Sequence, residues 1–149
     1  MTGKAEKGTK ATQVVAVRRA DENHQVVTVK TDHRGYWKKP CPDCPWRKDA
    51  VGGFPAEAFR LSANTAYDMS THIFSCHSSG SLKPAACAGF LLRGADHNLS
   101  VRLGKMNGTI KDNVSDGGVE LFADYREMAV ANGVDPNDPV LTLCRDNRS

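Results

Sequence analysis

The chain has 149 residues, a length typical of one domain of modest size. Hydrophobic residues make up 40% and aromatic residues 7% of the sequence, so we expect a small core that needs a metal or covalent cross-link. The net charge is +3, and no apolar run has the length of a bilayer span, so a membrane partner is not expected.

The N-terminal residues are polar and basic. Residues 1–11 are rich in Lys, Gly, Thr and Ala, a composition that predicts a disordered tail. This region lacks the apolar stretch of a secretory signal. We therefore expect a cytoplasmic protein whose cysteines stay reduced.

Residues 12–38 are predicted to form a β-hairpin and a connector. The β-rich runs Gln13–Val17 and Gln25–Val29 flank the polar stretch Ala20–His24, which suits a turn. From residue 39 to residue 143 we predict a small metal-binding domain with two to four short helices, followed by a frayed terminus at 144–149. The predicted fold class is therefore α+β.

Helical patterns follow in the second part of the chain. Proline in the first turn predicts a helix after Phe54-Pro55, and an apolar segment predicts a buried one over Ala85–Leu92 that stops at Gly94. The strongest pattern lies over Val119–Asn132, with Gly133 at the C-cap position. Between these helices, Asn98–Leu103 fits either a strand or a helix, and Gly104–Gly118 predicts a loop.

Four cysteines, Cys41, Cys44, Cys76 and Cys87, carry the clearest functional signal. The first two have Cys-x-x-Cys spacing in the string Cys-Pro-Asp-Cys-Pro. Such a cysteine knuckle directs both sulfurs at one ion while backbone amides face the sulfurs. The alternative is four buried free thiols, because free cysteine packs like a small apolar residue. We favour a metal site.

Two centres fit these four ligands. A zinc ion bound by four thiolates is favoured by the Cys-Pro-x-Cys knuckle. A 4Fe-4S iron–sulfur cluster is favoured by the unequal second spacing and the cysteine–proline pairs. His77 is expected to donate a hydrogen bond to a sulfur or to replace a cysteine as ligand. Cys144 is expected to be a packed core thiol.

The strings CPDCPWRKD, FSCH and CAGFL resemble a small uncharacterised family of phages and actinobacteria. In that family a C-x-x-C-P-(W/Y)-R element precedes a Cys-His pair and a C-x-G-(W/F) element. The resemblance covers residues 39–103 and implies a phage or bacterial intracellular origin, without an established activity. The predicted hairpin and the helix at 119–132 lie outside it.

Partner binding is predicted mainly in the basic part of the chain. Residues 1–48 hold eleven Lys and Arg against five Asp and Glu, so this half could contact nucleic acid or an acidic protein of the host. The alternative is a solvated tail that keeps the protein soluble. Trp46 with Arg47 could likewise stack on a base and bind phosphate, or else cover the metal site and cap a carbonyl. The candidate contact residues are Trp46, Arg47, Lys38, Lys39, Arg18 and Arg19.

Known catalytic motifs do not match. Pro40-Cys41-Pro-Asp-Cys44 has the second half of a zinc deaminase signature, but no H-x-E precedes it. A nucleophile elbow around Ser78 and a Walker-type phosphate loop are also lacking. The sequence therefore favours a metal-stapled accessory protein without a small-molecule substrate over a redox or catalytic iron–sulfur protein.

Overall fold

The computed structural model of the chain describes residues 13–22, 24–30, 35–75 and 85–144. Within these ranges an antiparallel hairpin is followed by five short α-helices, which confirms the predicted α+β class. The elements are β1 (Gln13–Arg19), β2 (Gln25–Lys30), α1 (Ala56–Ser62), α2 (Ala88–Arg93), α3 (Leu99–Met106), α4 (Tyr125–Ala131) and α5 (Pro139–Thr142). Single 3₁₀ turns cover Lys48–Ala50 and Ala63–Ala66.

The hairpin forms where the alternating β-rich runs predict it. Its register pairs Val17 with Val27 and Arg19 with Gln25, and an irregularity lies between Val14 and Ala16. Strand β2 contacts α1, and the hairpin turn reaches the start of that helix, where the His24 ring meets the Phe54 ring edge-on at 5.6 Å. The outer strand β1 leaves its valine side chains largely exposed.

Helices α1 and α2 lie where the sequence patterns predict them. Pro55 is extended at the N-cap of α1, because its fixed φ suits the entry to a helix, and the helix ends at Ser62. Helix α2 begins at Ala88 rather than Ala85, since Cys87 is its extended N-cap. The predicted stop at Gly94 is confirmed, with the Gly94 N–H bonded to the Phe90 carbonyl at 2.8 Å.

The segment Asn98–Leu103, whose pattern fits either a strand or a helix, is helical from Leu99 onward and belongs to α3. The buried Asn98 is its N-cap, and its Oδ1 accepts the Val101 N–H at 3.0 Å. The helix continues to Met106, so the predicted start of a loop at Gly104 is wrong. Gly104 lies inside the helix, and its lack of a Cβ leaves room for Ile110, which would stand 2.8 Å from that atom.

The predicted helix over Val119–Asn132 starts too early. Helix α4 begins only at Tyr125, because Asp124 caps it by accepting the Glu127 N–H at 2.8 Å. Glu127 in turn accepts the Ala123 N–H at 2.6 Å. Before the cap, Leu121 forms a bridge with Arg47 instead of a helical turn. Gly133 has the expected left-handed φ, +105°.

The core is aromatic at its centre. Trp46, Phe90 and Tyr125 are completely buried, and the Trp46 ring lies 5.7 Å from Tyr125 and 6.4 Å from Phe90. Phe74 packs against all three. One residue of the cysteine region thus lies at the centre of the hydrophobic core.

Some predictions fall outside the described residues. These are the tail at 1–11, Cys76, His77 and the terminus beyond Cys144. Cys144 itself is buried, as expected of a packed thiol; its sulfur lies 3.7 Å from the Ala63 carbonyl oxygen. Across the part of the chain that is described, no helix combines the length and apolarity needed to cross a membrane.

Candidate metal centre

The Cys-Pro-Asp-Cys segment folds into two overlapping turns. The Cys44 N–H donates to the Cys41 carbonyl at 3.1 Å, and the Arg47 N–H donates to the Cys44 carbonyl at 3.1 Å. Cys41 and Cys44 are both buried. The proline after each cysteine removes a backbone donor, so the segment makes turns rather than a regular helix. This is the local geometry that the sequence predicts.

Cys87 is brought to the turn by the entry to α2. Its N–H donates to the Phe74 carbonyl at 3.0 Å, and its side chain is buried. The Cys87 Sγ lies 3.4 Å from the Cys44 Sγ, although 43 residues separate the two in sequence. A disulfide has its sulfurs about 2.0 Å apart, so the two are free thiols in contact.

The surroundings of Cys44 favour its thiolate. The side-chain hydrogen bond with Cys87 lowers the pKa of Cys44, and backbone N–H groups of Trp46 and Gly89 act in the same direction. The Arg47 charge lowers this pKa further, while burial opposes the shift. Amide donors on a sulfur stabilise the form that binds a metal ion.

Arg47 is held beside the cysteine turn by several contacts. Its Nε and terminal nitrogen donate to both Asp49 carboxylate oxygens, at 2.8 and 2.7 Å, in a bidentate pair. Its other terminal nitrogen lies 3.5 Å from the Cys41 carbonyl oxygen. This carbonyl contact corresponds to the capping role considered from the sequence. The sequence carries no pattern that predicts Asp49 as the partner of Arg47, since side chains two residues apart do not face each other on a helix.

Trp46 connects the cysteine turn to the core. Its ring lies against Gly89 and Gly94, the second residue and the C-cap of α2. A Cβ at Gly89 would stand 2.5 Å from the Trp46 Cβ, closer than real Cβ contacts. Gly89 therefore lets the indole approach α2 while its N–H faces the Cys44 sulfur. The Cys-x-Gly element of the sequence contains this glycine. Nothing in the sequence indicates that the glycine makes room for Trp46 or donates to Cys44.

The described residues contain part of the predicted ligand set. In the ranges 35–75 and 85–144, Cys44 and Cys87 meet and Cys41 is buried three residues before Cys44, while Cys76 and His77 lie outside. Among all described residues, no three Cys, His, Asp or Glu side chains are grouped so as to hold a metal ion. The described part of the site is thus a thiol pair with amide donors.

The predicted contact residues differ in exposure. Lys38, Lys39, Arg18 and Arg19 are exposed. Trp46 is completely buried, so its ring offers no exposed face on which a base could stack.

Comparison with known proteins identifies a family without assigning an activity. No curated protein and no solved structure matches the chain. Residues 36–145 match the sequence model of a family of unknown function, DUF6283. The match starts after the hairpin and runs through α5, so the C-terminal helices lie within the family domain, beyond the range of the resemblance. With most of its length matched, the chain belongs to this family of unknown function, DUF6283.

Proposed function

We propose that this protein is a small accessory protein whose domain is organised by one zinc ion held by Cys41, Cys44, Cys76 and Cys87. One observation carries the proposal: the Cys44 and Cys87 sulfurs are 3.4 Å apart in a buried site that also supplies backbone N–H donors. Two thiols far apart in sequence converge there, and the donors favour the deprotonated form of Cys44.

The sulfur separation fits a single ion. With zinc–sulfur bonds of about 2.3 Å, the edge of a regular tetrahedron is about 3.8 Å, close to the separation of the thiol pair. In a 4Fe-4S cluster each thiolate binds a different corner of a cube, so the sulfurs diverge and stand farther apart. The pair therefore favours zinc over the cluster.

Arg47 supports the same assignment. Four thiolates around one Zn²⁺ leave excess negative charge, which needs nearby donors or cations in a buried site. The Arg47 guanidinium reaches the Cys41 carbonyl oxygen at 3.5 Å, and the pKa of Arg47 is raised first by the Asp49 hydrogen bond and, to a smaller extent, by negative charge on Cys44 and Cys41. The N–H groups of Trp46 and Gly89 supply the remaining stabilisation at Cys44.

A binding role follows from a closed site. Four thiolates fill the tetrahedral coordination of zinc and leave no position for water or substrate. We therefore propose a non-enzymatic role in the cytoplasm, in which the metal holds the fold and exposed basic residues bind a host protein or nucleic acid. The resemblance to phage and actinobacterial sequences supports a phage-encoded origin. His77 would donate a hydrogen bond to a metal-bound sulfur.

Metal analysis combined with a visible spectrum tests the metal proposal. The full chain is purified anaerobically without added metal, and zinc and iron are measured per chain. We expect one zinc and no colour, because zinc has no visible absorption. A brown protein with several irons would establish the cluster alternative, and a folded chain with neither metal would overturn both.

A further inference from the structure

The cations within residues 35–75 and 85–144 include two groups. Arg47 pairs with Asp49, Lys48 with Glu120, and Arg60 with both Glu57 and Asp138. A second group is exposed, and none of its members forms an ion pair with any residue that the structure describes. This group consists of Lys38, Lys39, Arg102, Lys105 and Lys111.

Contacts join the three segments that carry the second group. The Tyr36 hydroxyl donates to Asn113 Oδ1 at 2.7 Å and accepts the Lys111 N–H at 3.1 Å. The Ser115 N–H donates to the Lys38 carbonyl at 2.9 Å, so residues 36–39 run beside residues 111–115. Helix α3, which carries Arg102 and Lys105, joins this pair where the Ile110 N–H donates to the Gly104 carbonyl at 3.0 Å.

An exposed aromatic residue directly precedes two of these cations in the chain. Trp37 precedes Lys38 and Lys39 and is 37% exposed, whereas Trp46 is completely buried. The Trp37 N–H donates to the Ala86 carbonyl at 3.0 Å, which fixes its backbone. We name Trp37 and the five unpaired cations the basic surface. Two carboxylates, the exposed Asp112 and the half-buried Asp116, belong to the loop that carries Lys111, and the cations outnumber them.

We propose that the basic surface binds single-stranded nucleic acid, with phosphates on the cations and a base stacked on Trp37. Proteins that bind single strands combine a cationic track with aromatic side chains, because every base has a stacking face. A base within a duplex is already stacked, so a ring at the protein surface favours an unpaired strand. The proposal specifies the partner in the proposed binding role and is independent of which metal the cysteines hold.

Tryptophan fluorescence and anisotropy test this directly. The full metal-loaded chain is titrated with an oligothymidylate of about 20 nucleotides at about 50 and 200 mM salt. We expect binding that weakens steeply with salt, together with quenching of tryptophan emission. Because Trp46 is buried, the quenching should disappear in Trp37→Leu, and affinity should fall about tenfold or more. The metal content of this variant should match the parent.

Matched variants distinguish binding by the basic surface from attraction to any positive charge on the protein. Lys38→Gln/Lys39→Gln should lower affinity about tenfold and reduce the salt slope by about two, one for each phosphate contact. Lys48→Gln removes a lysine that is already paired with Glu120 and should leave the affinity within about twofold of the parent.

Three results would overturn the proposal. The first is equal affinity for a duplex of the same length. The second is unchanged affinity in Trp37→Leu. The third is binding of polyglutamate as tight as that of the oligonucleotide, which would assign the surface to an acidic protein. A folded chain without metal that still binds the oligonucleotide would remove the zinc proposal but keep this one.

Discussion

Gly89 and Trp46 are in contact at the point where the cysteine turn meets α2. A Cβ at Gly89 would lie 2.5 Å from the Trp46 Cβ and 2.7 Å from its Cγ. The Gly89 N–H is at the same time a donor to Cys44. A change at this one backbone position would therefore disturb both the aromatic core and the candidate metal centre.

Gly89→Ala should destabilise the protein although it replaces glycine within a helix. Helix propensity alone would make the alanine more stable by about 1 kcal/mol. The new methyl group instead forces Trp46 away, and overpacking in a core costs about 1–3 kcal/mol. Because Trp46 is fixed on several sides, we expect the cost of overpacking to exceed the gain in helix propensity. Urea denaturation measures the net effect.

Gly53→Ala is the matched control, since a Cβ there would meet only the Ala50 carbonyl oxygen, at 3.4 Å. It should change the free energy of unfolding by less than about 0.5 kcal/mol. A Gly89→Ala protein more stable than the parent would show that Trp46 does not resist displacement.

Replacing Cys87 should release the metal and unfold the region around it. Structural zinc binding contributes on the order of 10 kcal/mol to folding, so Cys44→Ser and Cys87→Ser should each lose both metal and protection of residues 41–92. Metal content and hydrogen exchange are the measurements. Cys144→Ser is the control, because Cys144 is packed near Ala63 and is expected to leave the metal content unchanged. Full metal retention in Cys87→Ser would contradict the ligand assignment.

Asn98→Ala should lower the free energy of unfolding more than Asp124→Ala does, although both residues cap a helix. Loss of the Asp124 cap should cost about 1 kcal/mol. Asn98 is 1% exposed, and its side chain also donates to the Thr65 carbonyl at 3.1 Å and the His72 carbonyl at 2.6 Å. Buried carbonyls left without donors add about 1–3 kcal/mol.

Thermal or urea denaturation of the two cap variants side by side tests this order. Equal losses would mean that water replaces the Asn98 side chain at the two carbonyls.

Asp138 should make stability depend on acid pH. The Arg60 hydrogen bond lowers the pKa of Asp138, and the Val140 N–H acts in the same direction. A lowered folded pKa means that the contribution is complete above the ordinary aspartate pKa of about 4 and is lost as pH falls through the lower folded value.

The urea midpoint at neutral pH and below pH 4, measured for the parent and for Asp138→Asn, isolates this effect. The variant should be less stable at neutral pH and should lose less on acidification. Any loss of metal at low pH is common to both chains and cancels in the difference. Parallel pH profiles would remove Asp138 as a source of acid sensitivity.

Removal of residues 1–34 should leave a folded, metal-binding domain. The family match starts at residue 36, and the centre lies within it. We expect the truncated chain to keep its metal content and helical circular dichroism. It should be somewhat less stable, because contacts such as the one between His24 and Phe54 are lost. An unfolded truncated chain at saturating zinc would show that the hairpin is part of the domain.

The sequence predicted the elements whose signals are local. The β-rich runs define the hairpin, and Pro55 and Gly94 mark helix ends. The late start of α4 does not follow from the apolar spacing over Val119–Asn132, because the cap at Asp124 decides where the helix begins. That cap has a sequence signal of its own, the Asp-x-x-Glu pattern that ends at Glu127.

The candidate site was predictable only in part. Residue types and the Cys-x-x-Cys spacing indicated which thiols could meet. The approach of Cys87 to Cys44 depends on how α2 packs against Trp46, and packing between distant segments leaves no local pattern. The burial of Trp46 and the grouping of Lys38 with Lys111 also depend on packing between distant segments.

The separation of the paired thiols along the chain has a consequence for synthesis. A ribosome adds about 5–20 residues per second, so Cys87 is made roughly 2–9 seconds after Cys44, given the 43 positions between them. During that interval the nascent Cys41 and Cys44 have at most Cys76 as a downstream partner, and their sulfurs are open to oxidants and to competing ions.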